Sequence, residues 1–403
     1  MNTNKLDFSQ RNVAIDILRA LTMLVMIFVN DFWTIREVPK WMQHARGNED
    51  FLGLADAVFP IFLFMVGMSI PFAIERRYSK GFSEVSTLGH ILTRSFALLI
   101  MGIFTNSFDG FTRDIGMSAP VYKTIVIASF FMIWNVYPKT DKKNLRYLFT
   151  ALQIIGILIL TYLAFIFRTR NGGYMTAGWW GILGIIGWTY LVCAIVYLFV
   201  RNSIPKVFFV WLIFVGLCAL KSGSYIPREA NVLNDLINAM HLGTPGHNAL
   251  TMGGALFSLL IVKYSNVEVR KKVLFIVGAV VLLLIASKVT NIFWIMSKNR
   301  ATVPCVFACM GIAIGLYGLI QWAVSSGGAK WFNIIKIGGT ATLSCYIVPY
   351  FMEAILYGTL RLNAIMPVWM KTGTYGLIKS VLFAFLCLGV TALLAKCKVK
   401  LKI

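Results

Sequence analysis

Twelve long apolar runs dominate this 403-residue chain. They fall at about 14–33, 54–75, 88–105, 120–137, 148–167, 179–200, 206–220, 247–264, 272–288, 301–323, 334–357 and 373–395. Most approach the roughly 20 residues that a helix needs to cross hydrocarbon. Lipid offers no water to satisfy an open strand edge, so runs of this kind read as helices. Composition agrees: 58% of residues are hydrophobic and 13% charged, against about 25% charged in a soluble domain. A soluble enzyme, a disordered chain and a secreted disulfide scaffold are excluded. The expected fold is an all-α polytopic membrane protein, with residues 1–403 forming a single transmembrane domain. Segment 206–220 is short and 120–137 carries Lys123 near its start. The expected count is therefore twelve spans, or ten if two weak runs do not cross.

The charge is lopsided, with 38 Lys and Arg against 16 Asp and Glu, a formal net of +22. In a soluble protein this would suggest nucleic acid; between spans it reports orientation. With the N-terminus cytoplasmic, the inner segments hold Lys5 and Arg11, then Arg76, Arg77, Lys80 and Arg94, then Lys139, Lys142, Lys143 and Arg146. Arg201, Lys206, Lys263, Arg270, Lys271, Lys272, Lys330 and Lys336 follow, and the tail adds Lys396, Lys398, Lys400 and Lys402. The outer segments hold fewer positives. Both termini are therefore expected in the cytoplasm, the chain in a plasma membrane, and no nucleic acid among its partners.

The seven cysteines form no CxxC pair and no disulfide framework. Cys305 and Cys309 lie one helical turn apart without further ligands nearby, so no metal is expected. The first apolar run is too long and too charged for a cleaved leader and reads as a retained first helix. The outer loops are longer than the inner ones and rich in Trp, His, Asn and Gly; 34–53 and 221–246 are long enough to build a site.

Charges inside spans are costly and point to function. Asp16 and Arg19 are three residues apart, a spacing that lets them pair on one helix face. Asn30 and Asp31 end the same run, Asp56 opens the next, and His44 lies in the loop between them. These four could converge at the outer membrane face, where a carboxylate would hold the imidazole as a general base. By chemistry alone a single loop histidine is more often a merely solvated or interfacial side chain. His241 and His247 lie in a later outer loop and suit a substrate lip better than zinc, for which no HxxxH spacing exists. Lys298, Asn299 and Arg300 end another run, where a basic interfacial anchor is the plainer reading. Gly178, Gly181, Gly184 and Gly187 permit close helix packing.

The run RNVAIDILRALTMLVMIFVN, then His44, then ADAVFPIFLFMVGMSI resembles the transmembrane acetyltransferases of the heparan-alpha-glucosaminide N-acetyltransferase family and its bacterial relatives. The matching residues are Arg11, Asp16, Arg19, Asn30, His44, Asp56, Phe59, Pro60 and Gly67. GWWGILGIIGWTYL and MSKNRAT are similar to later family segments. The likeness is strongest over 11–75, fair at 178–192 and 294–302, and thin elsewhere. Arg19 is followed by Ala where the family has Gly. The stretch after His44 lacks a family Trp and carries two extra residues.

The resemblance implies an enzyme of the bacterial inner membrane. It would pass an acetyl group from cytosolic acetyl-CoA to the amine of a terminal glucosamine on an extracytoplasmic glycan, heparan sulfate in the family. It further implies His44 as base, oriented by Asp56, with Asn30, Lys298 or Asn299 as donors to the oxyanion. Asp31 and His247 are candidates for substrate contact. Asp16 and Arg19 are candidates for the coenzyme side, where basic inner loops could hold phosphates. Transient acetylation of His44 stays open. So do an O-acyltransferase acting on surface polysaccharide, a secondary transporter and a homodimer.

Overall fold

The computed structural model describes residues 8, 12–46, 49–108, 110, 116–169, 171–222 and 244–403. Arg11, His241 and most of the 221–246 loop lie outside them. Every one of the twelve apolar runs is helical. The helices are α1 (Val13–Asn30), α2 (Leu54–Ser79), α3 (Glu84–Ser107), α4 (Ala119–Trp134), α5 (Lys143–Ile166) and α6 (Gly181–Val200). They continue with α7 (Ile204–Ser222), α8 (Pro245–Lys263), α9 (Val269–Asn291), α10 (Val303–Ser325), α11 (Thr342–Glu353) and α12 (Gly373–Lys396). Short helical turns fill several of the connections. Among the described residues there are no strands, only two isolated bridges.

The protein is thus an all-α polytopic membrane protein. Among the described residues, nine helices are long and apolar enough to cross a membrane: α1, α2, α3, α5, α6, α7, α9, α10 and α12. The other three helices fall outside that set for physical reasons. Helix α4 has 16 residues. Helix α8 opens on the polar turn His247, Asn248 and Thr251. Helix α11 contains Pro349 and gives way to a π-helical turn over Ala354–Thr359. By contrast α9 is only 6% buried within the protein along its apolar window, a surface suited to hydrocarbon.

The chain divides into two compact units. The first comprises Met1–Thr22, Pro39–Ser95 and Ile186–Phe332. Its centre is the pair α2 and α8, held close by small residues. A Cβ on Gly67 would collide with the Thr251 carbonyl oxygen, and one on Gly254 with that of Phe64. Between them, Thr251 Oγ1 donates to Leu63 O at 3.3 Å and Ser258 Oγ to Met68 O at 2.8 Å. Such bonds give buried hydroxyls partners and add directional contacts where shape alone would let helices slide. An apolar cluster that includes Ile70, Ile74, Ile91, Tyr190, Tyr197 and Leu259 fills the space beside this pair.

The second unit comprises Met23–Val38, Phe96–Ile185 and Asn333–Ile403. Here Gly102 of α3 meets the chain at Trp180–Gly184 so closely that a Cβ would strike Trp180 O and Gly184 N. Gly178 and Gly181 adopt φ of +53° and +63°, a left-handed geometry that glycine adopts without steric cost. The Gly-rich run therefore serves both packing and a turn. Beyond α1, the 31–38 segment pairs with the start of α12: Arg36 N–H donates to Lys371 O at 2.7 Å and Gly373 N–H to Arg36 O at 3.0 Å.

Candidate active site

Asp56 occupies the first turn of α2, where its carboxylate accepts the Gly53 N–H at 3.4 Å while its own N–H bonds Gly53 O at 3.1 Å. An acid at this position suits the positive end of the helix dipole. The preceding loop folds back over this turn. Gln43 O passes so near Gly53 that no Cβ fits, and Ala45 N–H donates to Asp56 Oδ2 at 2.7 Å. The fold-back delivers His44 Nδ1 to 2.9 Å from Asp56 Oδ1. Asp56 is 1% exposed and His44 49%. A buried carboxylate thus takes the Nδ1 hydrogen, leaving the Nε2 lone pair on an accessible ring. That is the arrangement of an oriented general base.

Lys298 completes the cluster, its Nζ 3.9 Å from Asp56 Oδ1. Burial pushes its ammonium below the usual lysine range, against the pull of Asp56. The lysine is carried on the turn between α9 and α10, which is held by several bonds. Asp50 Oδ1 accepts Met296 N–H at 2.6 Å, Asp50 Oδ2 accepts Asn291 Nδ2 at 3.2 Å, and Phe51 N–H donates to Met296 O at 3.2 Å. Thr302 Oγ1 donates to Ile295 O at 2.7 Å and accepts Ser297 N–H at 3.0 Å. Asp50 and Thr302 escaped the sequence reading. The acidic pair Glu49–Asp50 in the stretch after His44 was the available signal. Glu49 itself bonds Lys40 at 2.6 Å, and this contact lowers its carboxyl pKa.

His247 lies in the first turn of α8, beside the lysine-bearing turn: a Cβ on Gly246 would strike Ala301 O. Its ring is 5.6 Å from that of Phe59, edge-on, and its Nδ1 lies 2.8 Å from Thr244 Oγ1. Asn299 is exposed on the Lys298 turn. The first unit therefore gathers His44, Asp56 and Lys298, with His247 and Asn299 on adjoining turns.

The remaining expected residues are placed otherwise. Asp16 and Arg19 pair at 3.2 Å, as their spacing requires, and Arg19 Nη2 reaches Ser69 Oγ at 2.7 Å. Ser69 lies 13 residues beyond Asp56, about 20 Å along α2, so this pair sits well away from His44. Asn30 and Asp31 belong to the second unit. Asn30 is exposed and Asp31 is fully buried. The Asp31 carboxylate pairs with Lys379 at 3.1 Å and accepts Ser380 Oγ and, at 3.3 Å, Tyr357 OH. Asp31 is thus saturated by a second polar cluster. Among the described residues no group of three His, Cys, Asp or Glu side chains could hold a metal.

The His44–Asp56 pair falls in the part of the chain that known proteins share. Residues 11–114 match the family model described as heparan-alpha-glucosaminide N-acetyltransferase, catalytic. The mouse heparan-alpha-glucosaminide N-acetyltransferase is 33% identical over 93 residues, and the human protein of that name 34% identical over 94. Each match covers 22% of this chain and 13% of the relative. The matched family segment contains Asp16, Arg19, Asn30, Asp31, His44 and Asp56. Lys298, Asn299 and His247 lie beyond it and are joined to it by the fold.

Proposed function

We propose that this protein is a membrane acetyltransferase that moves an acetyl group from acetyl-CoA to the amine of a terminal glucosamine-type sugar. The observation that carries the reading is the His44–Asp56 pair, a buried carboxylate beneath an accessible imidazole, inside the segment that matches the family's catalytic model.

The chemistry follows from the charges. A sugar ammonium has no lone pair to offer, so a base must first remove a proton. His44 Nε2 takes it, and Asp56 stabilises the resulting imidazolium. Attack of the amine on the thioester carbonyl then places negative charge on its oxygen. Lys298 is the cation paired with Asp56, and Asn299 lies on the same turn; both suit that oxygen. Collapse expels the CoA thiolate, which takes the proton held by the imidazolium; the second proton of the attacking nitrogen then passes through the freed imidazole to water. His247 is positioned to line the acceptor side.

The donor end of this reading is supported by a cavity of about 970 Å³ in the same unit. Asn12, Tyr317, Gln321, Lys271 and Lys272 line it, together with apolar side chains such as Phe72. That volume suits a large cofactor-like ligand, and two lysines suit phosphates. Phe72 is 16 residues beyond Asp56 on α2, about 24 Å along the axis. An extended thioester arm would run beside α2 to meet His44. In the proposed orientation the cavity opens to the cytoplasm, where both termini lie, and His44 faces the other side of a bacterial inner membrane.

The test uses purified protein, labelled acetyl-CoA and glycans ending in glucosamine. Label should appear on the sugar nitrogen, and His44→Ala should abolish transfer while still binding acetyl-CoA. A full panel without acetylated product would overturn the assignment.

A further inference from the structure

Outside the site, the C-terminal tail of the second unit is fastened down in an unusual way. After α12 the chain reverses at Lys398, whose φ is +62°, and Val399 N–H closes on Leu394 O at 2.9 Å. A β-strand-like stretch then lies antiparallel to the end of α4, bridging Asn135 and Leu401. Val136 N–H donates to Lys400 O at 2.9 Å, Lys402 N–H to Trp134 O at 3.0 Å, and Lys400 N–H to Asn135 Oδ1 at 2.8 Å. Leu401 N–H donates to Ser344 Oγ at 2.8 Å, and its side chain is 3% exposed.

Side chains alternate along an extended stretch. Burying Leu401 therefore turns Lys400 and Lys402 to the opposite face, Lys400 half-buried and Lys402 exposed; Lys396 and Lys398 are exposed. The strand partner runs directly into a second basic segment with exposed Lys139, Lys142, Lys143 and Arg146. Tyr137 holds that segment by stacking on Phe149, with ring centroids 4.7 Å apart. Asp141 is the sole acid in either segment. Crowding is felt within the tail, where burial and Lys402 together lower the Lys400 ammonium. Three of these cations also occupy the start of α5, the helix end that favours negative charge. Fixing the backbone of so many like charges costs both entropy and repulsion. An anion removes the second cost.

We propose that the tail and the 138–146 loop together form a binding site for the phosphate headgroup of an acidic phospholipid. The ends of α4, α5 and α12 meet here, which puts the patch at the edge of the apolar spans, level with headgroups. Basic clusters next to a transmembrane helix are suited to anionic lipid. The tether converts a loose polybasic tail into a preorganised site.

The experiment measures lipid carried by the purified full chain, by native mass spectrometry after exchange into mixed phosphatidylglycerol and phosphatidylcholine. Wild type should retain phosphatidylglycerol selectively. Lys398→Gln/Lys400→Gln/Lys402→Gln should lower that retention tenfold or more and leave phosphatidylcholine unchanged. Asn135→Ala keeps every cation and loosens only the tether; it should weaken retention severalfold, with thermal unfolding close to wild type. Retention that is equal in all three proteins overturns the proposal. So does displacement by inorganic phosphate at matched concentration, or a triple variant whose lost affinity is for acetyl-CoA instead.

Discussion

Asp50 accepts the main-chain N–H of Met296 at 2.6 Å, across 246 residues of sequence. One carboxylate six residues after His44 thereby holds the turn that carries Lys298. The His44–Asp56 pair and the cation beside it are thus mechanically linked, although the cation comes from a distant part of the chain.

Cutting that link should reduce catalysis more than folding. Asp50→Ala frees the Met296 and Asn291 donors and lets Lys298 drift from Asp56. The expected result is a fall in kcat of about 10-fold to 100-fold, since each fixed donor to an oxyanion is worth about 10²–10³. Steady-state kinetics beside thermal unfolding checks it. An unchanged kcat would remove the Asp50 tie from the mechanism.

Asp56→Asn keeps the shape of the side chain but only one acceptor oxygen. With that oxygen held by Ala45 N–H, the amide NH2 faces His44 Nδ1 and favours the Nε2–H tautomer, which cannot act as the base. Transfer should drop by about 10²–10⁴, the usual worth of an oriented general base, with acetyl-CoA affinity preserved. Binding measured separately from turnover separates the two effects.

The lowered Lys298 ammonium predicts a pH dependence. Its folded-state pKa lies below the ordinary 10.5 because burial disfavours the charge. If the cation supports the oxyanion, kcat falls as pH rises through that lowered value, and Lys298→Arg should move the alkaline limb upward. Stability runs the other way. Between the folded pKa and 10.5 the unfolded chain holds more protons at this residue, so its contribution to stability grows with pH. Loss of activity in that window with an unchanged or rising melting temperature is the expected signature.

In the second unit, Lys379→Met should be destabilising by about 3–5 kcal/mol, because it strands the buried Asp31 carboxylate. The double variant Asp31→Asn/Lys379→Met removes the charge as well and should recover much of the loss. Chemical denaturation in detergent, carried out on single and double variants, gives the coupling directly.

Gly254→Val tests the helix seam of the first unit. Its side chain would enter the Phe64 carbonyl, and overpacking of this kind costs about 1–3 kcal/mol. A lowered melting temperature is expected, together with reduced activity, since α2 carries Asp56.

Part of this arrangement is local and could be read along the chain. Run length in an apolar medium leaves helix as the only outcome, which is why all twelve segments are helical. The Asp16–Arg19 pair follows from a three-residue spacing on one helix face. His44 and Asp56 are twelve residues apart, near enough for a short loop to bring them together. Those features depend on backbone geometry and on contacts between neighbours.

Other features depend on which helices lie side by side, and no local rule carries that information. Lys298 reaches Asp56 because the turn before α10 is tied to Asp50 and Phe51. Asp31 ends in a buried ion pair because α12 brings Lys379 beside it, so a residue that reads as part of an outer site is taken up elsewhere. The lysines of the tail read as orientation signals until Leu401 is seen buried and hydrogen-bonded to Ser344. Sequence by itself determined the medium, the helices and the imidazole–carboxylate pair, since hydrophobicity and short loops act locally. Tertiary structure alone decided which distant charges meet, because burying a charge is tolerated only where packing supplies its partner.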